Sequence, residues 1–175
     1  MAWILITYRL PSEPSRARVA VWREVRRAGA LHLQQSVVAF PATDGFAHAV
    51  ARFRAVVSDV GGESLALRAE PLEAPGHDQL VAAWNAARDA ECVELAAECA
   101  KFIEEIEHEF EIEKFTDAEL EEEESELDKL ERWRERIRGR DVHGAARASD
   151  ADAALERARE ALARYSDAVF ERTGP

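Results

Sequence analysis

The second half of the chain contains a long segment without any helix-breaking residue. Residues 78–113 include no Gly or Pro and are rich in Ala and Glu, which favours one uninterrupted helix. Apolar side chains recur in this segment at steps of three or four, as in the seam of a coiled coil. They are Cys92, Leu95, Cys99, Phe102, Ile106 and Phe110. Such a helix is about 54 Å long, so we expect it to break near Asn85 or to extend beyond its neighbours.

Two more amphipathic helices follow. One is predicted from a Thr116 cap, with Glu119 at the capping-box position, to about Arg138, and the other covers about 150–171. Their apolar stripes are Leu120, Leu127, Leu130, Trp133 and Ile137, then Leu155, Ala158, Leu162, Tyr165 and Val169. Gly139 and Gly144 bracket the loop between these two helices. Three such helices with short connections should pack as an antiparallel bundle.

The first part of the chain alternates strands and helices. The predicted segments are a strand at 3–10, a helix after Ser15, apolar segments at 30–34 and 36–40, a helix at about 45–60 and a strand at 64–70. The third and fourth segments form either a tight hairpin or one bulged strand. The order β-α-β(β)-α-β fits the ferredoxin-like split βαβ pattern, with Pro71, Pro75 and Gly76 as the junction. We therefore predict an α+β chain, with a ferredoxin-like domain over 1–73 and an acidic three-helix bundle over 74–175.

The charge differs sharply between these two parts. The whole chain has a formal net charge of −12, which argues against nucleic-acid binding because phosphate contacts need a basic surface. Residues 1–73 hold nine Arg against seven Asp or Glu, whereas residues 74–175 hold 14 Lys or Arg against 28 Asp or Glu. The acid excess therefore lies entirely in the helical part, and this asymmetry indicates two segments with different roles.

The basic residues of the first part concentrate on its first helix. Ser15 is placed to cap this helix, whose apolar arc is predicted to be Ala17, Val21, Trp22, Val25 and Ala28. Arg16, Arg23 and Arg27 cluster on the opposite arc, with Arg26 at its margin. Arg18 falls on the apolar side, so it must lie at the exposed helix end or find a partner.

These residues form the candidate binding site of the sequence. The residues are Arg9, Ser15, Arg16, Arg18, Arg23, Arg26 and Arg27. Guanidinium groups present planar donor forks to oxyanions, and a helix N-terminus adds backbone donors and a positive dipole end. The group is interpreted either as a surface for DNA phosphate or another oxyanion, or as a solvated helix face that pairs with the acidic part of the chain.

Other candidate chemistry is weaker. Glu105 and His108 form one Glu-x-x-His motif, whereas carboxylate-bridged di-metal bundles use two, so a solvated acidic face is favoured over metal binding. Cys92 and Cys99 lie about 10 Å apart on one helical face, which favours two small core residues over a disulfide or a thiol redox sensor. The five histidines have no ligand spacing. We predict no metal site and no cofactor.

The sequence gives little support for an enzyme. No P-loop, Gly-x-Gly-x-x-Gly, Gly-x-Ser-x-Gly or Cys-x-x-Cys pattern is present. A run of about 18 apolar residues, as a membrane span requires, is also absent, and the apolar run from Trp3 to Ile6 is too short for a signal peptide. We therefore expect a non-enzymatic, cytoplasmic protein with no membrane partner.

Three stretches of the chain resemble the N-terminal domain of the bacterial chromate-resistance protein ChrB. They are Trp3 to Pro11 with Pro14 to Val19 and Trp22-Arg23; Gly29-Ala30 with Leu33-Gln34 and Val37 to Pro41; and Glu119-Leu120, Glu126 to Leu130, Trp133, Ile137 and Arg140-Asp141. Together they cover nearly the whole chain. The resemblance is to a standalone form, without the C-terminal domain that ChrB proteins usually carry. The opening strand and arginine helix also look like the middle domain of PaaX-type repressors, which is ferredoxin-like and helps oligomerisation.

This resemblance implies a chromate-responsive, cytoplasmic regulator of chromate-efflux operons. The expected partners are chromate or another oxyanion, operator DNA and a second copy of the chain in a homo-oligomer, most simply a dimer. The alternative is a structural or protein-interaction module that binds neither chromate nor DNA.

Overall fold

A computed structural model describes residues 2–13 and 15–173 of the chain. The elements are β1 (Trp3–Arg9), α1 (Ser15–Ala28), β2 (Leu31–Gln34), β3 (Val37–Pro41), a 3-10 turn (Asp44–Phe46), α2 (Ala47–Asp59), β4 (Glu63–Ala69), α3 (Ala74–Glu111), α4 (Asp117–Arg140) and α5 (Ala148–Thr173). The chain is therefore α+β: a four-stranded sheet with interspersed helices, then three long helices that pack together. This confirms the predicted order of elements.

All strand pairs of the sheet are antiparallel, and their order is β2-β3-β1-β4. The two short segments form a hairpin, with a register shift between His32 and Gln34 and a positive φ of 64° at Ser36. The Ser36 carbonyl also accepts a hydrogen bond from the backbone N–H of Tyr8 at 3.0 Å. Strands β2 and β4 are the two edges of the described sheet, which places β4 beside β1 alone.

The chain divides into two compact units, Met1–Trp84 and Asn85–Pro175. Trp84 is fully buried in the core of the first unit, where its ring lies 6.0 Å from that of Trp3 and 5.3 Å from that of Phe46. The start of helix α3 therefore belongs to the sheet unit.

Helix α3 runs unbroken from Ala74 to Glu111, which excludes a break near Asn85, one of the two expected alternatives. Pro75 and Gly76, predicted as part of the junction, lie in its first turn, where a proline costs no intrahelical hydrogen bond. The predicted loop residue Gly139 likewise lies inside helix α4.

The core of the second unit contains the predicted apolar stripes. All five predicted residues of α5 are buried, whereas Leu130 and Trp133 of α4 and Phe110 of α3 are only partly buried. The predicted cap is confirmed, because the Thr116 side chain accepts a hydrogen bond from the backbone N–H of Glu119. A bidentate pair between Arg134 and Asp152 joins α4 to α5 at 2.6 and 2.9 Å.

Candidate anion-binding surface

Helix α1 is held on the sheet unit by one buried arc. Ala17, Val21, Val25 and Ala28 are buried as predicted. Trp22, predicted on the same arc, is 58% exposed, so that prediction is wrong. Glu24 is the polar residue that completes the buried arc, since at 100° per residue it lies beside Ala17 and Ala28. The remaining circumference of α1 carries the arginines.

Arg16 and Arg23 are exposed, and neither has an ion-pair partner among residues 2–13 and 15–173. Their spacing of seven residues is two helical turns, about 10.5 Å, so both guanidinium groups lie on one face of α1. Unpaired guanidinium groups in solvent keep all their donors available. These two residues are the part of the predicted site most open to an external anion.

Arg27 belongs to the same face but is already paired. Its guanidinium donates two hydrogen bonds to the Glu24 carboxylate, at 2.8 and 2.6 Å. Arg52 of helix α2 reaches the same carboxylate at 3.4 Å. The buried carboxylate thus lies between two arginines, which compensates the cost of burying it. Arg27 is a structural ion-pair partner of Glu24 as well as a source of surface charge.

Arg18 lies at the exposed start of the helix and finds a partner, as the sequence requires. Its Nη1 donates to the Ser12 carbonyl at 2.8 Å and so ties α1 to the loop after β1. Arg9, the last residue of β1, lines a surface cleft of about 520 Å³ together with Ser12, Gly61 and Glu63. The β1–α1 loop therefore has arginines on both sides, with one carboxylate at the cleft.

Ser15 is the first residue of α1 and is exposed. Pro14, predicted in the preceding turn, lies outside the described residues. Arg26 lies over the exposed Trp22 ring, 5.4 Å from its centroid, a cation–π geometry. The seven predicted residues therefore do not form one pocket. They divide between the Arg16 and Arg23 face, the Trp22 and Arg26 face, and the loop at the start of the helix.

Sequence reasoning missed three features of this surface. Arg52 belongs to another helix, and no local spacing connects it to Glu24. Glu24 itself carried a signal, because it is the one carboxylate in the 14 residues of α1. The exposure of Trp22 was not predicted, because a large apolar side chain at the edge of an apolar arc is normally assigned to the core.

The other candidate groups are also placed by the structure. His108 is exposed and lies 3.8 Å from Glu111. No group of three or more His, Cys, Asp or Glu in the described part of the chain is arranged to hold a metal ion. Cys92 and Cys99 are buried free thiols, and burial raises the pKa of both, which disfavours the reactive thiolate. Among the described residues, every helix of spanning length is too polar to cross a membrane.

Comparison with known proteins assigns the family. The sequence matches the family model described as "Protein ChrB, N-terminal" over residues 18–175. The matched range includes Arg18, Arg23, Arg26 and Arg27 and begins after Arg9, Ser15 and Arg16. No curated protein matches the chain. Because the family match covers nearly the whole chain, the protein belongs to the ChrB N-terminal family.

Proposed function

We propose that this chain is a non-enzymatic, chromate-responsive regulatory protein that acts in chromate resistance from the cytoplasm. It would bind an oxyanion, DNA phosphate or both through the arginine surface of helix α1. The sheet unit, with its order β2-β3-β1-β4, would be of the ferredoxin-like class, and α3 to α5 would form an antiparallel bundle. Family membership supports the connection with chromate resistance.

The binding proposal rests on the ion pairing of the one carboxylate that α1 contains. Glu24 is the one carboxylate of the helix, and Arg27 and Arg52 already surround it. Arg16 and Arg23 are left with their full charge in solvent. The positive end of the helix dipole lies at Ser15 and adds to the attraction for anions. External phosphate or chromate oxygens are suitable acceptors for these donors.

Two parts of the surface would have separate tasks. Arg16 and Arg23, about 10.5 Å apart, suit an extended polyanion such as a DNA strand. Arg9 lines the cleft at Ser12 and Arg18 donates to the Ser12 carbonyl, so this loop would offer two guanidinium groups to one tetrahedral dianion such as chromate. Chromate bound at the loop would then alter DNA binding through the same helix.

The test is a pair of titrations on the full chain, with promoter DNA of its own gene at low salt and with chromate. We expect Arg16→Ala/Arg23→Ala to weaken DNA binding at least tenfold in fluorescence anisotropy. Arg136→Ala/Arg164→Ala, which removes two exposed arginines from α4 and α5, is the control and should bind as wild type does. Absence of DNA retention together with absence of calorimetric heat with chromate contradicts the proposal.

A second candidate function, homodimerisation, is favoured by strand β4. This strand is an edge of the described sheet and exposes Leu65 by 56% and Leu67 by 48%. Both side chains lie on the sheet face that also carries Leu5, since Leu67 pairs with Leu5 and Leu65 with Thr7. An apolar edge strand invites pairing with another strand, and a second copy of β4 is the simplest partner. The chain would then act as an oligomerisation module.

Sedimentation velocity across a concentration series tests the dimer. We expect wild type to show a monomer–dimer equilibrium and Leu67→Glu to shift it to monomer, because the substitution places charge on the apolar edge. Val93→Glu changes an equally exposed apolar residue on α3 and should leave the equilibrium unchanged. A wild-type chain that stays monomeric at high micromolar concentration contradicts this function.

A further inference from the structure

Helices α3 and α4 and the loop between them line an open acidic cleft of about 450 Å³. The charged residues that line it are Glu98, Lys101, Glu105, Glu109, Lys114, Glu119, Glu122, Glu123 and Glu126. The cleft lining therefore contains seven carboxylates and two lysines. The acidic residues of each helix recur at steps of three, four or seven, so they form two facing rows rather than a random surface patch.

The lysines neutralise only part of these rows. Lys101 pairs with Glu98 at 2.6 Å, and Lys114 pairs with Glu119 at 2.7 Å. Outside the cleft lining, Lys129 pairs with Glu126. The central carboxylates of Glu105, Glu122 and Glu123 have no cationic partner among residues 2–13 and 15–173. The middle of the cleft therefore carries an excess of negative charge.

Two of the lining carboxylates are buried. Glu109 is 4% exposed and Glu123 is 5% exposed. Among the described residues, Oε2 of Glu109 has no hydrogen-bond donor, since the nearest cation, Nζ of Lys114, lies 3.8 Å away. Glu109 therefore has one distant ion pair, and Glu123 has no ion-pair partner among the described residues. Burying carboxylates with so little compensation is costly, and a proton or an added cation would reduce that cost.

The environment of Glu123 is consistent with a missing cation. Its burial, with the neighbouring charges of Glu105, Glu109, Glu122 and Glu119, raises its pKa to about 7. Lys114 and the buried Tyr165 of α5 also lie near this position, and Glu98, Lys101 and Glu126 line the same cleft. Charged carboxylates here repel one another until a counter-ion binds.

The arrangement of the carboxylates selects the kind of cation. They do not converge on one point, and no metal-binding group of His, Cys, Asp and Glu exists in the described residues. Instead they extend from Glu98 to Glu109 on α3, eleven residues or about 16 Å. The carboxylates recur at every turn on α4, and Glu105 and Glu109 are one turn apart on α3. One turn is about 5.4 Å, close to the spacing of amines joined by three or four methylenes. Phe102 and Leu130 supply apolar lining for such methylenes.

We propose that the cleft between α3 and α4 binds a linear aliphatic polyamine, with its ammonium groups on the two carboxylate rows and its methylenes against Phe102 and Leu130. The buried carboxylates of Glu109 and Glu123 receive one ammonium group between them. Binding of such a ligand supplies the missing charge and stabilises the packing of α3 against α4. This site is independent of the arginine surface on α1.

Isothermal titration of the full chain with spermidine at pH 8 tests the site, with magnesium chloride and sodium chloride at equal ionic strength as competing cations. We expect saturable spermidine binding that Glu109→Gln/Glu123→Gln weakens at least tenfold. Glu121→Gln/Glu124→Gln removes the same charge from exposed positions of α4 outside the cleft and should bind as wild type does.

Three results overturn the proposal. They are absence of saturable spermidine binding to wild type, equal binding of magnesium at matched ionic strength, and equal weakening by the control substitution. Because Gln at position 123 resembles the protonated carboxyl, we expect the double variant to remain folded. Circular dichroism of each variant checks this, and Glu105→Gln, which changes an exposed lining residue, provides a second variant whose binding should also weaken.

Discussion

Individual residues explain where sequence reasoning succeeds and fails on helix α1. The arc of Ala17, Val21, Val25 and Ala28 was predictable because it follows directly from the 3.6-residue period. The burial of Glu24 was not predicted, although the period places it on the same arc, because a charged residue is normally assigned to solvent and its partner Arg52 belongs to another helix. The same limit applies to Glu123, whose neighbours lie on both α3 and α4. The local sequence pattern predicts the apolar face of a helix, but ion pairing between elements decides which charged residues are buried.

Glu123 should make stability depend on pH. Its pKa in the folded chain is about 7, against an ordinary value of 4.5, so the folded state holds this proton more tightly than the unfolded state. The protonated Glu123 side chain therefore adds to the free energy of unfolding at low pH. This contribution is lost as pH rises from about 4.5 through about 7. At about 1.4 kcal/mol per pKa unit, the loss is at most about 3.5 kcal/mol.

Urea unfolding at pH 5 and pH 8 measures this effect. The free energy of unfolding of wild type, relative to Glu123→Gln, should fall between the two values, because Gln cannot ionise. Glu124→Gln, at an exposed position of the same helix, should follow the wild-type pH dependence. A constant difference between wild type and Glu123→Gln over this range contradicts the assignment.

At the scale of elements, packing sets the helix and strand bounds that the sequence did not predict. Helix α3 begins before its predicted start because Trp84 is buried against Trp3 and Phe46, which fixes its first turns on the sheet unit. The sequence did not decide between a hairpin of β2 and β3 and one bulged strand, since both structures satisfy the same apolar pattern. Pairing with β1, including the Tyr8 to Ser36 hydrogen bond, decides in favour of the hairpin. The three long helices were predictable because their periodicity is sustained over many turns.

Two glycines should respond in opposite ways to substitution by alanine. At Gly62 a Cβ atom would lie 2.7 Å from the Arg9 carbonyl and 2.9 Å from Cγ1 of Val57, so Gly62→Ala should destabilise by about 1–3 kcal/mol. At Gly139, inside helix α4, a Cβ atom meets nothing within 4 Å among the described residues. Gly139→Ala should therefore stabilise by up to about 1 kcal/mol. Thermal unfolding of both variants tests this pair of predictions. A more stable Gly62→Ala variant or a less stable Gly139→Ala variant would contradict them.

At the scale of the whole molecule, the net charge of −12 conceals two opposite tendencies. Residues 1–73 are slightly basic, whereas residues 74–175 carry the acid excess, and the structure places the arginines on α1 and the carboxylate rows on α3 and α4. This division was readable from the sequence, because it needs only residue counts along the chain. The placement of the acidic rows across one cleft was not, since it depends on how two helices face each other.

The charge distribution limits how DNA binding should respond to salt. If Arg27 stays with Glu24, the arginines of α1 that we expect to contact phosphate are Arg16, Arg18 and Arg23. Each phosphate contact contributes about −0.9 to the slope of log K against log salt concentration, so two or three contacts give an expected slope of about −2 to −3 for one chain. A dimer that engages both helices would double it. Anisotropy titrations over a series of salt concentrations measure the slope, and Arg23→Ala should reduce its magnitude by about 1 per chain. A slope far steeper than these values would require phosphate contacts beyond helix α1, and a slope near zero would exclude phosphate contact by these arginines.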